Sequence, residues 1–275
     1  MMMDTIVNNL SEWPIRVDVE LLKSVQNDLN QAKISNCTLA NELWFLKQFM
    51  LIRMKYVEIF DMLQKEQYSE AWSFLADLEN TIIMIKDTYD IPQIYRIDYI
   101  LEYIRKYQRF YPYKFFTSRE EIVKEMKCGI CGAVVNPAKS CGHESGKIYC
   151  GELCTYEITK HELIGIAIVE NPFDKCAVIK LNDKEHNYDL LDFLMDGLSD
   201  AFEEWEYIEK QVTKPEFKNA FMKKPCPCGS NKKYKHCCYG KEHTLMPHIE
   251  VVIKNPKKKL GNNIIISSGL WKDKE

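Results

Sequence analysis

The sequence of 275 residues predicts an α+β protein in which an N-terminal helical bundle precedes two small cysteine-rich modules. Three observations predict this arrangement. Apolar residues recur at spacings of three and four from about residue 18 to residue 110, as in amphipathic helices. Short runs rich in isoleucine and valine follow, as in strands, and two cysteine clusters at 128–154 and 226–238 have spacings typical of metal ligands.

The first predicted domain, residues 1–117, is the helical bundle. Its apolar pattern runs through Leu43 to Leu63, is interrupted by the polar residues 64–67, and resumes at Ala71. This pattern predicts an antiparallel pair of helices with a short connection, and a further helix should run near 93–108. No second copy appears at a period near 34 residues, so a bundle is favoured over a helical repeat array.

The second predicted domain, residues 118–212, is a zinc-knuckle α+β domain. Ser118 and Glu121 have the spacing of a capping box, so we expect a helix to begin at residue 119 and to lead into the first cysteines. The runs 163–169 and 177–181 flank a turn and predict a small β-hairpin. Residues 188–211 predict an acidic amphipathic helix.

The cysteine cluster of this domain offers more ligands than one ion needs: Cys128, Cys131, Cys141, His143, Cys150 and Cys154. Cys128 and Cys131, followed by a glycine, have the spacing of a zinc knuckle. We favour Cys141 and His143 as the second pair, because a thiolate and an imidazole lie two residues apart in a turn that contains glycine. Cys154 is the reserve ligand, carried at the start of a following helix, and Cys150 is a spare thiol.

We expect this central site to be structural and not catalytic, because three sulfur ligands lower the Lewis acidity of the ion and no HExxH pattern is present. The pattern CxxCG, CxH and GxxYxGxxC is similar to zinc motifs of uncharacterised bacterial and phage proteins, a resemblance that implies no activity. Cys37 and Cys176 are interpreted as small hydrophobic side chains, and the cysteine count requires no disulfide.

The third predicted domain, residues 213–275, carries the strongest metal-binding signal, CPCGSNKKYKHCC at 226–238. Cys226 and Cys228 are separated by one residue, and Cys237 and Cys238 are adjacent. A turn at 229–231 and a short lysine-rich return bring both pairs to one tetrahedral ion. A disulfide pair is the alternative, which we disfavour because the chain opens without an apolar export segment and looks cytoplasmic.

The residues around this cluster are strongly basic. Six lysines and no carboxylate lie between residues 221 and 241, whereas the whole chain has a formal charge of −3. Four thiolates and one zinc ion sum to two negative charges, so the module remains about four units positive. We expect an anionic partner to contact a set of basic and aromatic residues: Lys223, Lys224, Lys232, Lys233, Tyr234 and Lys235.

The rest of the third domain is less informative. Polar residues 214–216 predict a linker that leaves the cysteine module mobile. Ile249–Ile253 and Ile264–Ile266 are candidate strands of one hairpin on either side of the basic run 257–259.

The stretch 226–238 closely resembles the SEC-C motif, a metal-binding module at the C-terminus of the protein-translocation ATPase SecA and in many otherwise unrelated bacterial proteins. The resemblance covers roughly residues 223–240. It implies that the zinc ligands are Cys226, Cys228, Cys237 and Cys238. Asn231 replaces a glycine that is usual in the motif. In that family the module is a docking surface for an export chaperone or the ribosome, and it confers no catalysis by itself.

The sequence therefore favours a non-enzymatic, cytoplasmic adaptor that holds two zinc ions and docks on an acidic protein surface or the ribosome. No apolar run approaches the roughly 20 residues that a membrane helix requires, so no membrane insertion is expected. The alternative is a zinc protein that binds nucleic acid, as in a phage-related or anti-phage system. An enzyme is disfavoured because neither a GxxxxGK loop nor a nucleophile elbow is present.

Overall fold

The computed structural model describes residues 2–14, 16–136, 138–179, 186–254 and 264–266. It is an α+β fold, as predicted, and it divides into two compact units, Met1–Leu181 and Asn182–Glu275. The finer division at residues 117 and 212 stays a prediction. The basic run 257–259 and the end of the predicted strand at 180–181 lie outside the described residues.

Helices form the first part of the first unit. They are α1 (Met2–Ser11), α2 (Val19–Ser35), α3 (Cys37–Gln64), α4 (Tyr68–Thr88) and α5 (Ile97–Arg109), with a 3-10 turn at Gln93–Tyr95. The Asp18 carboxylate accepts a hydrogen bond from the Glu20 amide and caps α2, and Asn36 caps α3 in the same way. The break at 64–67 and the helix near 93–108 are both confirmed.

The bundle is built around α3, which contacts α1, α2, α4 and α5. Trp72 of α4 then joins the bundle to the residues that follow α5, since its ring lies 4.9 Å from Tyr111, 5.0 Å from Tyr113 and 6.1 Å from Phe116. All four side chains are buried. These aromatic contacts attach the start of the next strand, at Phe116, to the bundle.

A network of charged side chains connects α4 with α5 and with Lys175. Glu79 of α4 is 4% exposed, and it accepts hydrogen bonds from Arg105 of α5 at 2.9 Å and from Lys175 at 2.6 Å. Burial alone would raise the pKa of Glu79, but the hydrogen bonds from Lys175 and Arg105 outweigh burial and lower the pKa. The carboxylate is therefore charged in the folded protein.

We expect Glu79→Gln to lower the free energy of unfolding by about 2 kcal/mol at neutral pH. This loss is smaller than that for a fully buried ion pair because both cationic partners are partly exposed. Because folding lowers the pKa of Glu79, its contribution is complete above the unfolded value of about 4.3 and is lost as pH falls through the folded value. Urea unfolding of both proteins at neutral pH and at about pH 3 should therefore show a difference that shrinks in acid. The matched control is Glu58→Gln, an exposed change on α3, and an equal effect of both changes would contradict the prediction.

After the bundle the chain forms a long two-stranded ribbon, and the helix predicted from residue 119 is wrong. β1 (Phe116–Cys128) pairs antiparallel with β5 (Tyr156–Val169) from Phe116↔Val169 to Cys128↔Tyr156, with several register shifts. The capping-box spacing is a local signal, whereas Ile122 and Val123 are β-branched and pair with residues far along the chain. The long-range pairing overrides the local preference.

The predicted hairpin of 163–169 with 177–181 is also wrong. Residues 163–169 are a strand, but their partner is β1. Residues 177–179 lie along the other edge of β1, where the Thr117 amide donates to Ala177 at 2.8 Å and the Ile179 amide donates to Phe115 at 3.0 Å. The short strands β2 (Val134–Val135), β3 (Ile148–Tyr149) and β4 (Glu152–Leu153) lie between the two long strands in sequence.

The second unit contains a three-stranded antiparallel sheet in the order β6 (Trp205–Thr213), β7 (Leu245–Ile253) and β8 (Ile264–Ile266). The predicted tail hairpin is confirmed, since Ile249 pairs with Ile266. The predicted helix 188–211 is too long: α6 (Asp189–Gly197) ends early, residues 198–204 form turns, and residues 205–211 belong to β6. Trp205 at the start of β6 is fully buried.

The basic cysteine module is a long connection between two paired strands. β6 and β7 pair up to Thr213↔Leu245, and the Lys214 amide donates to Thr244 at 2.8 Å just beyond that pair. The short helix α7 (Pro215–Lys218) then leads into the module. Residues 214–216 are thus hydrogen-bonded and partly helical, which corrects the predicted linker. Among the described residues, no helix is both long and apolar enough to cross a membrane.

Candidate metal centres

The C-terminal cysteines lie in a compact knuckle made by short-range hydrogen bonds. The Cys226 amide donates to the Lys232 carbonyl at 2.8 Å, and the Gly229 amide donates to the Cys226 carbonyl at 3.1 Å. Gly229 has φ +78° and Asn231 has φ +56°, so the turn uses two left-handed residues. Asparagine tolerates this conformation better than most other side chains, which explains why it replaces glycine here.

The four sulfur atoms of this knuckle converge. All four lie within 4.8 Å of one another, with the Cys228 sulfur 3.5 Å and the Cys238 sulfur 3.7 Å from that of Cys237. Two thiolates on a tetrahedral zinc ion, at Zn–S distances near 2.3 Å, are separated by about 3.8 Å. The group therefore has the composition and the spacing of a zinc site with four cysteine ligands.

The thiols of the knuckle differ in their ionisation. Hydrogen bonds from the Ser230 hydroxyl and amide lower the pKa of Cys228 to about 6. Burial raises the pKa of Cys238 to about 12. One ligand is therefore a thiolate at neutral pH, whereas another releases its proton only when a metal ion binds.

A very small apolar core supports the knuckle. Tyr234 is 6% exposed, and its ring stacks at 6.1 Å on Phe217 of α7, beside the buried Cys226 and Cys238. The expectation that Tyr234 contacts a partner is therefore corrected: it is a core residue. The sequence misleads because an aromatic residue between lysines resembles a surface contact.

The outer surface of the knuckle is basic and aromatic. Lys223, Lys224, Lys232, Lys233, Lys235 and Lys241 are all exposed, and none of them has an ion-pair partner within the described residues. Two exposed rings accompany them, since Phe221 is 75% and Tyr239 is 58% exposed. We call these lysines and two rings the basic face.

The central cluster is assembled at the end of β1. The Gly132 amide donates to the Cys128 carbonyl at 2.8 Å, and the Cys128 amide donates to the Ala133 carbonyl at 2.9 Å, which closes the first turn around Cys131. The ligand atoms of Cys128, Cys131, Cys141 and His143 all lie within 4.8 Å of one another. The Cys141 sulfur is 3.7 Å from Nδ1 of His143, close to the separation of two ligands on one zinc ion.

Cys154 is also part of this cluster. Its sulfur lies 3.9 Å from that of Cys128, and both residues are almost fully buried. Cys154 is not at a helix start, as the sequence suggested, but in the connection from β4 to β5. The structure thus groups the four predicted ligands and places Cys154, the reserve ligand, beside Cys128, and the choice between His143 and Cys154 as fourth ligand stays a prediction.

The central thiols are also unequal. A hydrogen bond from the Cys131 amide lowers the pKa of Cys128 to about 6. Burial raises the pKa of Cys154 to about 11. Cys128 is therefore the thiol that ionises more readily before a cation binds. Cys154 is the thiol whose ionisation depends most on a bound cation.

Tyrosines hold the loop that carries His143. The Tyr156 hydroxyl donates to the His143 carbonyl, and the Tyr149 ring lies edge-on to the imidazole at 4.7 Å. The Tyr149 hydroxyl also accepts a hydrogen bond from the Glu144 amide at 3.0 Å. This loop is fixed by contacts outside the cysteines themselves.

The cysteine that sequence reasoning left spare has a partner. Cys150 forms a disulfide with Cys37, the first residue of α3, across a sequence separation of 113 residues. The expectation that no disulfide is needed is therefore wrong. No local spacing signals this pair, because the two residues meet only through the fold.

Further contacts fasten the β3–β4 turn to the bundle at the same point. The Gly151 amide donates to the Asn41 side chain at 2.7 Å, and a Cβ at Gly151 would lie only 2.7 Å from a methyl carbon of Leu29. Lys33 and Glu152 form an ion pair at 2.9 Å. The turn that precedes Cys154 is therefore attached to α2 and α3.

Comparisons with known proteins agree with the geometry of the C-terminal knuckle. The family model of the SEC-C motif matches residues 222–240, which confirms the resemblance. The chain is also 31% identical over 84 residues to a UPF0225 protein of Actinobacillus succinogenes, and it spans about half that relative, since the match covers 30% of this chain and 47% of the relative. No solved structure matches the chain. The motif and the two converging clusters support a zinc-binding protein.

Proposed function

We propose that this chain is a non-enzymatic zinc-binding adaptor that docks through its basic face on an anionic surface, either an acidic protein or the ribosome. One observation carries the proposal. The six lysines of the basic face are exposed and lack ion-pair partners among the described residues, although the chain has an excess of carboxylates. Such a concentration of positive charge attracts anionic surfaces.

The zinc ion has a structural role in this proposal. When bound, it holds together a segment whose apolar core is too small to fold alone. The knuckle then presents the lysines and the rings of Phe221 and Tyr239 in a fixed arrangement. The first unit would provide the second contact of the adaptor.

Two carboxylates near the central cluster support a non-enzymatic role. Glu144 pairs with Lys147 at 2.7 Å, and Glu152 pairs with Lys33 at 2.9 Å. A general base in a hydrolytic zinc site must accept a proton from the attacking water. Both carboxylates are instead more than half exposed and form surface ion pairs, whereas a general base is held within hydrogen-bond reach of the metal-bound water.

The proposal is tested by reversing charge on the basic face. We expect Lys232→Glu with Lys233→Glu to weaken cosedimentation with ribosomes, or binding to a peptide rich in aspartate and glutamate, by at least about tenfold. The matched control is Lys55→Glu with Lys65→Glu, two exposed lysines of the bundle. Equal behaviour of the two double variants, or no binding of the unmodified chain to either probe, would contradict the docking proposal.

A nucleic-acid-binding protein is the second candidate, favoured by the exposed rings among the lysines. Phe221 and Tyr239 are placed to stack on unpaired bases while the lysines contact phosphates. Binding to naked single-stranded RNA with a steep dependence on salt would favour this candidate. Binding to the acidic peptide, with no binding to naked RNA, would favour the adaptor.

A further inference from the structure

The disulfide between Cys37 and Cys150 lies outside both metal groups and is open to solvent on one side. Cys37 is exposed, and Cys150 is half-buried in the turn between β3 and β4. Neither residue belongs to a group that could hold a metal ion. The bond is therefore accessible to a small thiol from the Cys37 side.

The other cysteines of the chain are free thiols. There are nine of them, and seven belong to the two metal groups. Metal ligation requires thiolates, so the conditions in which both groups bind metal are reducing. Buried structural disulfides resist reduction by small thiols under such conditions, whereas exposed or strained disulfides are labile.

The helix that carries Cys37 favours the reduced form of the pair. Cys37 is the first residue of α3, a helix of 28 residues whose N-cap is Asn36. The positive end of the helix dipole stabilises a thiolate at this position. A disulfide whose reduced form is stabilised is a better electron acceptor.

The backbone at Cys150 is strained in the oxidised state. Cys150 has φ +49°, a left-handed conformation that is unfavourable for most side chains. Gly151 follows with φ +74°, and its amide donates to the Asn41 side chain at 2.7 Å. The turn is thus held by the disulfide and by this hydrogen bond, and reduction removes the first of these constraints.

The hairpin that contains Cys150 also positions the central cluster. The Cys154 amide closes this hairpin by donating to the Lys147 carbonyl at 2.8 Å. The Tyr149 ring lies edge-on to His143 at 4.7 Å. Both candidates for the fourth ligand of the central cluster are therefore held by the hairpin that the disulfide fastens to α3.

Other contacts keep the hairpin beside the bundle when the disulfide is broken. The Gly151 amide stays within reach of Asn41, and Lys33 pairs with Glu152 at 2.9 Å. The two sulfur atoms therefore remain near each other, and the bond can form again. Reduction removes a cross-link between residues 113 positions apart, which loosens the hairpin without detaching it.

We propose that Cys37 and Cys150 form a redox-active disulfide whose electron donor is a small thiol, and that its reduction speeds metal release from the central cluster. A donor thiolate attacks the exposed Cys37 sulfur, the sulfur–sulfur bond breaks, and Cys150 leaves as a thiolate that takes a proton. A second donor thiolate attacks the donor sulfur of the mixed disulfide, and Cys37 leaves and takes a proton. The pair gains two electrons and two protons, and two donor thiols become one disulfide. This chemistry does not depend on docking by the basic face.

Reduced glutathione, added to the native full chain, tests the redox step. We expect millimolar reduced glutathione to open the bond without denaturant and oxidised glutathione to restore it. Alkylation of free thiols followed by peptide mass analysis identifies the state of Cys37 and Cys150. A bond that resists glutathione until the chain is unfolded is purely structural, and that result would overturn the proposal.

The effect on the central cluster is measured as the rate of zinc transfer to a chelator. The measurement uses Cys228→Ser, so that only the ion of the central cluster is followed. We expect reduction of the disulfide to raise the transfer rate by at least about tenfold, because contacts that orient ligands change metal affinity by factors of this size. An unchanged rate after complete reduction would overturn the proposal.

A second substitution provides a form that cannot make the bond. Cys37→Ser in the same background should release zinc as fast as the reduced chain, and its rate should not respond to glutathione. The matched control is Cys176→Ser, which removes a free thiol outside both metal groups and should keep the glutathione response. Zinc release from Cys37→Ser as slow as that from the oxidised chain would contradict the proposed coupling.

Discussion

Replacing Cys228 with serine is expected to remove one of two zinc ions per chain and to unfold the knuckle while the first unit stays folded. Cys228 is exposed, so the substitution removes a ligand without removing a packed side chain. Zinc binding at a site of this kind provides about 10–16 kcal/mol of apparent free energy, which is also the free energy that folds the module. Metal analysis by mass spectrometry, together with hydrogen exchange, should show the loss of one ion and of local protection.

The corresponding change at the central cluster is Cys131→Ser, which also affects an exposed ligand. We expect it to remove the other ion and to destabilise the first unit, because the β3–β4 turn of this cluster is fastened to α2 and α3. Cys176→Ser is the control, since the Cys176 sulfur lies near Asp77 and outside both groups. One ion in the unmodified protein, or two ions retained in either variant, would refute the two-site interpretation.

Tyr234→Ala is expected to weaken zinc binding by the knuckle about 100-fold. Removing a large buried aromatic side chain costs about 3 kcal/mol or more, and in a module whose folding requires metal this cost appears as lost metal affinity. The measurement is a competition between the protein and a chelator of known affinity. The stack with Phe217 should survive in Tyr234→Phe, which should bind zinc nearly as well as the unmodified chain.

Tyr239→Ala is the matched control for this experiment. Tyr239 lies edge-on to Tyr234 at 5.7 Å but is 58% exposed, and a surface substitution of this kind changes stability by about 0.5 kcal/mol at most. If Tyr239→Ala and Tyr234→Ala weaken zinc binding equally, the small aromatic core does not support the metal site. If Tyr239→Ala weakens docking while zinc binding stays unchanged, the basic face is the contact surface.

The features that sequence reasoning predicted depend on residues close together in the chain. The two cysteine groups follow from short spacings and glycine turns, such as Cys226 to Cys228, and the structure brings the ligand atoms within each group close to one another. The helices of the bundle follow from apolar periodicity, with α3 and α4 separated where the polar break occurs. In each case the local pattern and the fold agree.

The features that sequence reasoning missed depend on partners far along the chain. Ser118 and Glu121 satisfy the pattern of a helix start, but pairing with β5 makes this segment a strand. Cys37 and Cys150 are 113 residues apart, so their meeting depends on how the bundle is packed. Tyr234 is buried because the knuckle has almost no other apolar side chain to cover its sulfur atoms.

The placement of the knuckle between the paired ends of β6 and β7 has a topological consequence. Thr213 and Leu245 are direct cross-strand neighbours, so the point where the chain leaves the sheet and the point where it returns are side by side. A segment with adjacent ends can be replaced by a tight turn, or transplanted onto another hairpin, without changing the register of the strands that carry it. The segment that matches the SEC-C motif is therefore an insertion between β6 and β7 that could be exchanged. We expect these two strands to pair through their own hydrogen bonds, without a metal ion in the inserted segment.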